Sequence, residues 1–314
     1  MNLSELRYVI ALARERHFGH AAEACCVSQP TLSLAVKRLE EELGVQLFER
    51  GGHDISVTPA GESVIAQAQQ ALEAIESVRQ AANEGRDQLS HPLSIGAIYT
   101  IGPYLFPDLI SNLSKIAPKM PLMIEENYTA ILADKLKNGE LDVIVISLPF
   151  DEPNILTMPL YDEPFVILLP SAHPLNEYPT LTPKNMKDET VLLLGSGHCF
   201  REQVIEACPE CAPKPVIRQN SNENVEGTSL ETIRHMVATG AGITVLPSSS
   251  NSQPAKNSLL SMIPFEKPAP MRRVALAWRK SFTRPQAIEA LRDEILQCRL
   301  HGVSMLRDAE INKP

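Results

Sequence analysis

Strand-like and helix-like segments alternate along the chain from residue 93 onwards, and this alternation is the strongest constraint on the fold. Parallel α/β units have this order of elements. Two sets of such units predict two α/β lobes, with a ligand cleft between them at the carboxyl ends of strands. Thr100, Thr129 and His198 lie at such ends. The predicted strands are 93–98, 122–126, 143–147, 165–169, 191–194, 216–220, 242–246 and 273–278, and the predicted helices are 103–116, 130–138, 200–208, 228–239 and 285–298.

The first 58 residues predict a winged helix-turn-helix. Its third helix begins after the N-cap Ser28, carries a proline in its first turn and ends at Gly44. Its polar outer face suits a major groove, because glutamine can bond adenine through two hydrogen bonds while hydroxyls and cations reach phosphates. A solvated helix face is the alternative interpretation. The candidate DNA contacts are Ser28, Gln29, Pro30, Thr31, Ser33, Lys37, Arg38 and, on the hairpin of 45–50 and 55–58, Arg50.

A helix predicted over residues 59–85 carries apolar residues at alternating spacings of three and four. At about 40 Å it is too long and too narrowly apolar to pack on a small winged domain, so we expect it to pair with its copy in a second subunit. The predicted organisation is 1–58 for the DNA-binding domain, 59–88 for the linker helix and 89–314 for a regulatory domain. Within that domain, lobe I covers about 89–163 and 269–300, and lobe II about 164–268.

Cys199 lies at the predicted start of a short helix. Unpaired amides and the helix dipole favour a thiolate at that position, and His198 and Arg201 add positive charge nearby. Cys208 follows nine positions later, which is roughly 13 Å along an intact helix. A disulfide requires Cα atoms about 4.4 to 6.8 Å apart, so these two cysteines cannot bond while the helix is folded.

Two other interpretations of the cysteines stay open. Cys199, Cys208 and Cys211 are equally well interpreted as small buried hydrophobic residues. Cys208 and Cys211 also have CxxC spacing, and His198 or Cys199 would complete a zinc site, although structural zinc usually draws on two spaced pairs.

Charge and composition narrow the function classes. The 314 residues carry a net charge of −9, and residues 1–60 hold 6 Lys or Arg against 8 Asp or Glu, so DNA binding must come from the local motif. No stretch approaches the roughly 20 apolar residues of a membrane helix, and the first residues lack a basic segment followed by an apolar run. We therefore expect a cytoplasmic protein without a membrane partner. Its six cysteines are expected to stay reduced apart from transient disulfides.

Several motifs together resemble LysR-type transcriptional regulators. They are His-Phe-Gly-His-Ala-Ala-Glu at 17–23, Ser-Gln-Pro-Thr-Leu-Ser at 28–33, Thr-Pro-Ala-Gly at 58–61 and Gly-Ala-Gly-Ile-Thr-Val-Leu-Pro at 240–247. Segments 96–105, 125–129, 197–201 and 229–237 are similar to the peroxide-sensing subfamily. The resemblance covers essentially the whole chain. It implies two lobes of the periplasmic-binding-protein type.

This resemblance also implies a mechanism. Hydrogen peroxide would oxidise Cys199 to a sulfenic acid, a disulfide with Cys208 would refold the regulatory domain, and a homotetramer built as a dimer of dimers would change its contacts with promoter DNA. Glutathione or thioredoxin systems would reduce the disulfide. Cys211 departs from the two-cysteine pattern and is open as an alternative resolving thiol. The implied pocket residues are Thr100, Thr129, His198 and either Arg272 or Arg273.

Two rival functions share these motifs. One is a LysR-type regulator that binds a small organic effector in the inter-lobe cleft, with inert cysteines. The other is a thiol peroxidase carrying a DNA-binding domain. We favour the sensor, which is not an enzyme and uses neither a cofactor nor a metal.

Overall fold

The computed structural model describes residues 1–51, 54–81, 88–212, 226–227, 229–251 and 259–306. The predicted strand at 216–220 and residues 82–85 of the predicted linker helix lie outside these ranges. The described part of the chain contains no helix both long and apolar enough to cross a lipid bilayer.

Three helices, a hairpin and a long helix form the N-terminal part, as predicted. Ser28 caps the third helix, and Gly44 ends it in a left-handed conformation with φ +70°, which glycine adopts without strain. Apolar side chains including Val9, Leu32 and Leu47 form a core, and Ile65 and Ala68 of the long helix are buried in it. The prediction that this helix would not pack on the winged domain is therefore wrong for its first half, because its apolar stripe faces that core there. The elements are α1 (Leu3–Glu15), α2 (Phe18–Ala24), α3 (Gln29–Leu43), β1 (Phe48–Gly51), β2 (Asp54–Val57) and α4 (Pro59–Ala81).

The rest of the described chain is mixed α/β. Its strands are β3 (Leu93–Ile98), β4 (Leu122–Asn127), β5 (Val143–Ser147), β6 (Ile155–Pro170), β7 (Val191–Leu194), β8 (Glu226–Gly227), β9 (Ile243–Pro247), β10 (Leu260–Pro264), β11 (Met271–Arg279) and β12 (Ser304–Met305). Its α-helices are α5 (Gly102–Ile116), α6 (Thr129–Lys137), α7 (Cys199–Ala207), α8 (Leu230–Ala238) and α9 (Pro285–Leu296).

One long strand joins the two halves of the sheet. The order is β4-β3-β5-β11-β6-β9-β7-β8, and β10 and β12 also pair with β6. The first half of β6 is antiparallel to β11, and its second half is antiparallel to β9 and β10. Parallel pairing holds for β3 with β4 and β5, and for β7 with β8 and β9. The predicted α/β class is confirmed, whereas antiparallel β6 and β11 make the sheet mixed.

Two hydrophobic cores flank the middle of β6. Core I includes Leu105, Val145 and Leu291. Core II includes Phe165 and Phe200. The carboxyl ends of β3 and β4 from the first half and the start of α7 from the second half meet between the cores, and this meeting point positions the site.

Candidate functional site

Cys199 is the first residue of α7, as predicted. His198 precedes it as N-cap with extended backbone angles and is buried, while Cys199 is half-buried. The first-turn amides of a helix have no intrahelical partner, and they carry the positive end of the helix dipole. The Cys199 sulfur therefore lies where negative charge is favoured.

A small pocket opens beside Cys199, at the ends of β3 and β4. Its volume is about 10 Å³, on the order of the space that one water-sized molecule needs. The pocket brings together three of the predicted residues, Thr100, Thr129 and His198, with Cys199. Its lining is Ile98, Tyr99, Thr100, Asn127, Tyr128, Thr129, Gly197, His198, Cys199 and Phe200.

Arg272 fixes the position of Thr100, one of the residues that line this pocket. Its guanidinium donates to Thr100 Oγ1 at 2.7 Å and to the Thr100 carbonyl at 2.8 Å, and its Nε donates to Glu163 Oε2 at 2.7 Å. The ion pair is completely buried, and Cζ of Arg272 lies 5.1 Å from the centre of the Phe200 ring. Since Thr100 Oγ1 accepts from Arg272, its own proton is available for donation.

Arg273 is not brought to the pocket. Its side chain forms a two-bond ion pair with Asp162, at 2.7 and 2.9 Å, and is 39% exposed. Consecutive residues of a strand point to opposite faces, so only one of the two arginines of β11 can point towards Thr100. The choice left open by the sequence falls on Arg272.

Two tyrosines surround His198, and the sequence analysis missed both. The ring centres of Tyr128 and Tyr99 lie 4.7 and 5.8 Å from the imidazole centre, and 5.4 Å from each other. Each tyrosine directly precedes one of the pocket threonines, which is the only sequence signal. Oγ1 of Thr129 is buried without a hydrogen-bond partner among the described residues, so the pocket holds a free hydroxyl.

The sulfur of Cys208 is bonded to Cys211. Cys208 is the C-cap of α7, Cys211 ends the following 3-10 turn, and their Cα atoms are 5.5 Å apart. The expected Cys199–Cys208 disulfide is therefore not formed in this structure, because α7 is folded and Cys208 has another partner. The pairing stays a prediction for a different state. Among the described residues, no group of three His, Cys, Asp or Glu side chains is arranged to hold a metal ion.

The second candidate site is the outer face of α3. Ser28 accepts from the Thr31 amide at 3.4 Å and lies 2.8 Å from its hydroxyl, so both residues take part in the helix cap. Leu34, which the sequence analysis did not include, is 50% exposed. Arg50 lies in β1, and its side chain is outside the described residues. The other candidate DNA contacts are exposed except for the half-buried Ser33, and they are Gln29, Pro30, Lys37 and Arg38.

Comparison with known families matches both parts of the chain. The model for the bacterial regulatory helix-turn-helix protein of the lysR family matches residues 3–62, and the model for the LysR substrate binding domain matches residues 86–298. The chain belongs to the LysR family. As a LysR-family protein it is a transcriptional regulator that binds DNA through its helix-turn-helix.

Similar proteins place this LysR-family regulator in the OxyR group. It is 35% identical over 302 residues to the DNA-binding transcriptional dual regulator OxyR of Escherichia coli K12, covering 96% of this chain and 97% of that protein. A cysteine-to-aspartate mutant of full-length OxyR from Pseudomonas aeruginosa superposes with a TM-score of 0.83 at 51% identity, covering 98% of this chain and 99% of the other. A mutant of Corynebacterium glutamicum OxyR with hydrogen peroxide bound gives 0.62 at 32% identity, covering 95% and 92%.

Proposed function

We propose that this regulator senses hydrogen peroxide and that Cys199 is the residue oxidised. The observation that carries the proposal is the water-sized pocket at Cys199, lined by threonine hydroxyls and an imidazole. Hydrogen peroxide is only slightly larger than water and forms the same hydrogen bonds. The structure of a relative with peroxide bound supports the same ligand.

Oxidation begins when the Cys199 thiolate attacks one peroxide oxygen. A sulfur–oxygen bond forms, the oxygen–oxygen bond breaks, and the departing hydroxide takes a proton to become water. Thr100, whose hydroxyl accepts from Arg272, is oriented to donate to the peroxide. Thr129 and His198 supply further polar contacts, and Arg272 acts as a positioning residue because it contacts Thr100.

Resolution joins the sulfenic acid of Cys199 to Cys208. The Cys208 sulfur displaces the hydroxyl group, which leaves as water, and a disulfide forms. Cys208 lies at the opposite end of α7, so α7 must open before the sulfurs can meet. Phe200 and Val204, which α7 buries in core II, would leave that core. Oxidation of the Cys199 sulfur is thereby converted into a conformational change of the regulatory domain.

The DNA-bound assembly is proposed to be a homotetramer, a dimer of dimers. The 23-residue α4, about 35 Å long, supplies a surface for pairing two subunits. The family matches to residues 3–62 and 86–298 support a DNA-binding domain at 1–58, a linker helix at 59–88 and a regulatory domain at 89–314. Two hydrophobic cores lie within the regulatory domain, and the third joins the winged helix-turn-helix to the first half of α4. We expect a cytoplasmic protein whose disulfide is reduced by glutathione or thioredoxin systems.

The pocket volume argues against one of the two rival functions, and kinetics distinguishes the other. A cavity of about 10 Å³ is far below the roughly 300 Å³ or more typical of organic-ligand sites, so it disfavours an organic effector here. A thiol peroxidase is distinguished by kinetics, because it would turn over many times with a reductant, whereas a sensor needs one cycle per signal.

The test is transcription from a target promoter by the full-length Cys199→Ser variant. We expect DNA binding to persist while peroxide-dependent transcription is lost, because serine forms no sulfenic acid. Cys298→Ser is the matched control: burial, together with the Asp108 and Glu294 carboxylates, raises the pKa of Cys298 to about 12, so its thiol stays protonated at neutral pH. Retained induction in Cys199→Ser would refute the proposal.

A further inference from the structure

The corner after α7 holds two cysteines that bond without any change in the helix. Cys208 caps α7, the amide of Cys211 donates to the Cys208 carbonyl at 2.8 Å, and the amide of Ala212 closes the next turn on Pro209 at 3.1 Å. The Cα separation of 5.5 Å is within the range that a disulfide requires. Both cysteines are buried in core II, and the Cys211 sulfur lies 3.9 Å from the sulfur of Met186.

The alternative partner of Cys208 requires α7 to unfold. Cys199 and Cys208 are separated by the whole of α7, which buries Phe200 and Val204. The Phe200 ring packs edge-on against Phe165 at 5.1 Å, and Arg272 lies over the same ring. A Cys199–Cys208 bond gives up this packing, whereas a Cys208–Cys211 bond keeps it. One sulfur forms one disulfide, so the two states exclude each other.

We infer that Cys208 and Cys211 form a second redox couple that resets the peroxide switch from within the same chain. This inference rests on the function proposed above. The Cys211 thiolate attacks the Cys208 sulfur of the Cys199–Cys208 disulfide, the bond to Cys199 breaks, and Cys199 leaves as a thiolate that takes up a proton. The exchange needs no external oxidant or reductant. The exchange runs towards the Cys208–Cys211 bond because α7 refolds and regains its packing in core II.

The reset leaves a distinct third state of the protein. The fold is that of the reduced form, yet Cys208 is held by Cys211 and is not available to resolve a new sulfenic acid. A thiol reductant then supplies two electrons and two protons to reopen the Cys208–Cys211 bond. The rate of the internal disulfide exchange thereby sets how long one transcriptional signal lasts. The rate of reduction of the Cys208–Cys211 bond sets how soon the protein can respond again.

The test follows both disulfides over time in the full-length protein. Reduced protein, freed of reductant, receives one equivalent of hydrogen peroxide; samples are acid-quenched, alkylated and mapped by peptide mass spectrometry. In the wild type we expect Cys199–Cys208 to rise and then fall as Cys208–Cys211 accumulates and free Cys199 returns. In Cys211→Ser the Cys199–Cys208 bond should last at least tenfold longer. Cys298→Ser should follow the wild type.

Equal lifetimes of Cys199–Cys208 in wild type and Cys211→Ser would overturn the inference, as would a wild-type course without any Cys208–Cys211 bond. Near-ultraviolet circular dichroism checks the fold of Cys211→Ser, and Cys211→Ala replaces it if it does not fold. If neither variant folds, the appearance or absence of the Cys208–Cys211 bond in the wild-type time course decides the test. Failure of the proposed function is separate. It appears as no sulfenic acid trapped by dimedone at Cys199 in the Cys208→Ser, Cys211→Ser double variant.

Discussion

At the residue scale, the site depends on a buried ion pair that fixes the position of one arginine side chain. Arg272 and Glu163 are both fully buried, and Glu163 also accepts from the Ser249 amide at 2.9 Å. These bonds fix the guanidinium that orients Thr100. The sequence offered Arg272 and Arg273 as alternatives but did not predict the pair with Glu163, because no pattern links a glutamate in an apolar strand to an arginine 109 positions away.

Replacing each of the two adjacent arginines in turn distinguishes the buried ion pair of Arg272 from the partly exposed ion pair of Arg273. Arg272→Ala leaves the Glu163 carboxylate buried and unpaired, and we expect the free energy of unfolding to fall by about 3–5 kcal/mol. Arg273→Ala, the matched control, removes a partly exposed pair and should cost about 1 kcal/mol or less. Urea denaturation followed by the fluorescence of Trp278, on the same strand, measures both. Equal losses in the two variants would contradict the assignment of Arg272.

At the element scale, local signals predicted most helices, and non-local pairing explains the errors. Ser28, the proline after it and Gly44 define both ends of α3, and all three are local signals. Only the last third of β6 was predicted, since Pro159 and the charged pair at 162–163 interrupt its apolar pattern. The strand is completed by β11, which pairs with it and shifts register between Val274 and Ala275 opposite that proline.

The Cys208–Cys211 bond has a different explanation, because it depends on a local turn. The CxxC spacing is visible in the sequence, but the 3-10 turn of Pro209–Cys211 that brings the two Cα atoms together is not. The sequence therefore predicted a disulfide between Cys199 and Cys208 and left the role of Cys211 open.

The outer face of α3 leads to a prediction about DNA recognition. We expect Gln29→Ala to relax base preference at one position of each half-site by about 1–3 kcal/mol, because glutamine reads base edges. Lys37→Ala should instead weaken binding uniformly and lower the salt dependence by about one counterion. Lys37 is exposed and pairs only loosely with Glu41, at 3.6 Å. Binding assays on operator variants at several salt concentrations distinguish the two; unchanged base preference in Gln29→Ala would exclude that residue from base recognition.

At the scale of the whole molecule, one arginine ties the segment before β3 to the start of α9. Arg284 donates to the carbonyls of Gln88, His91 and Pro92, each at 2.9 Å. These three residues connect the linker region to the sheet that carries the pocket. This connection is one route by which a change of shape at α7 can reach the linker helix.

Arg284→Ala should loosen this connection without altering the pocket. We expect amide hydrogen exchange at residues 88–93 to rise at least tenfold, because three carbonyls lose a charged donor. Arg299→Ala, which removes an exposed side chain beyond the same helix, is the control and should leave exchange unchanged. Unaltered exchange in Arg284→Ala would show that other contacts hold the segment.

The central claim, that peroxide acts on this molecule through its thiols, is tested most directly by thiol counting. Fully reduced full-length protein on promoter DNA receives substoichiometric hydrogen peroxide, and the remaining free thiols are alkylated and assigned by peptide mass spectrometry. The account predicts the loss of two thiols for each peroxide consumed, with Cys199 modified first. Retention of all six cysteines as free thiols while DNA contacts still change would contradict it.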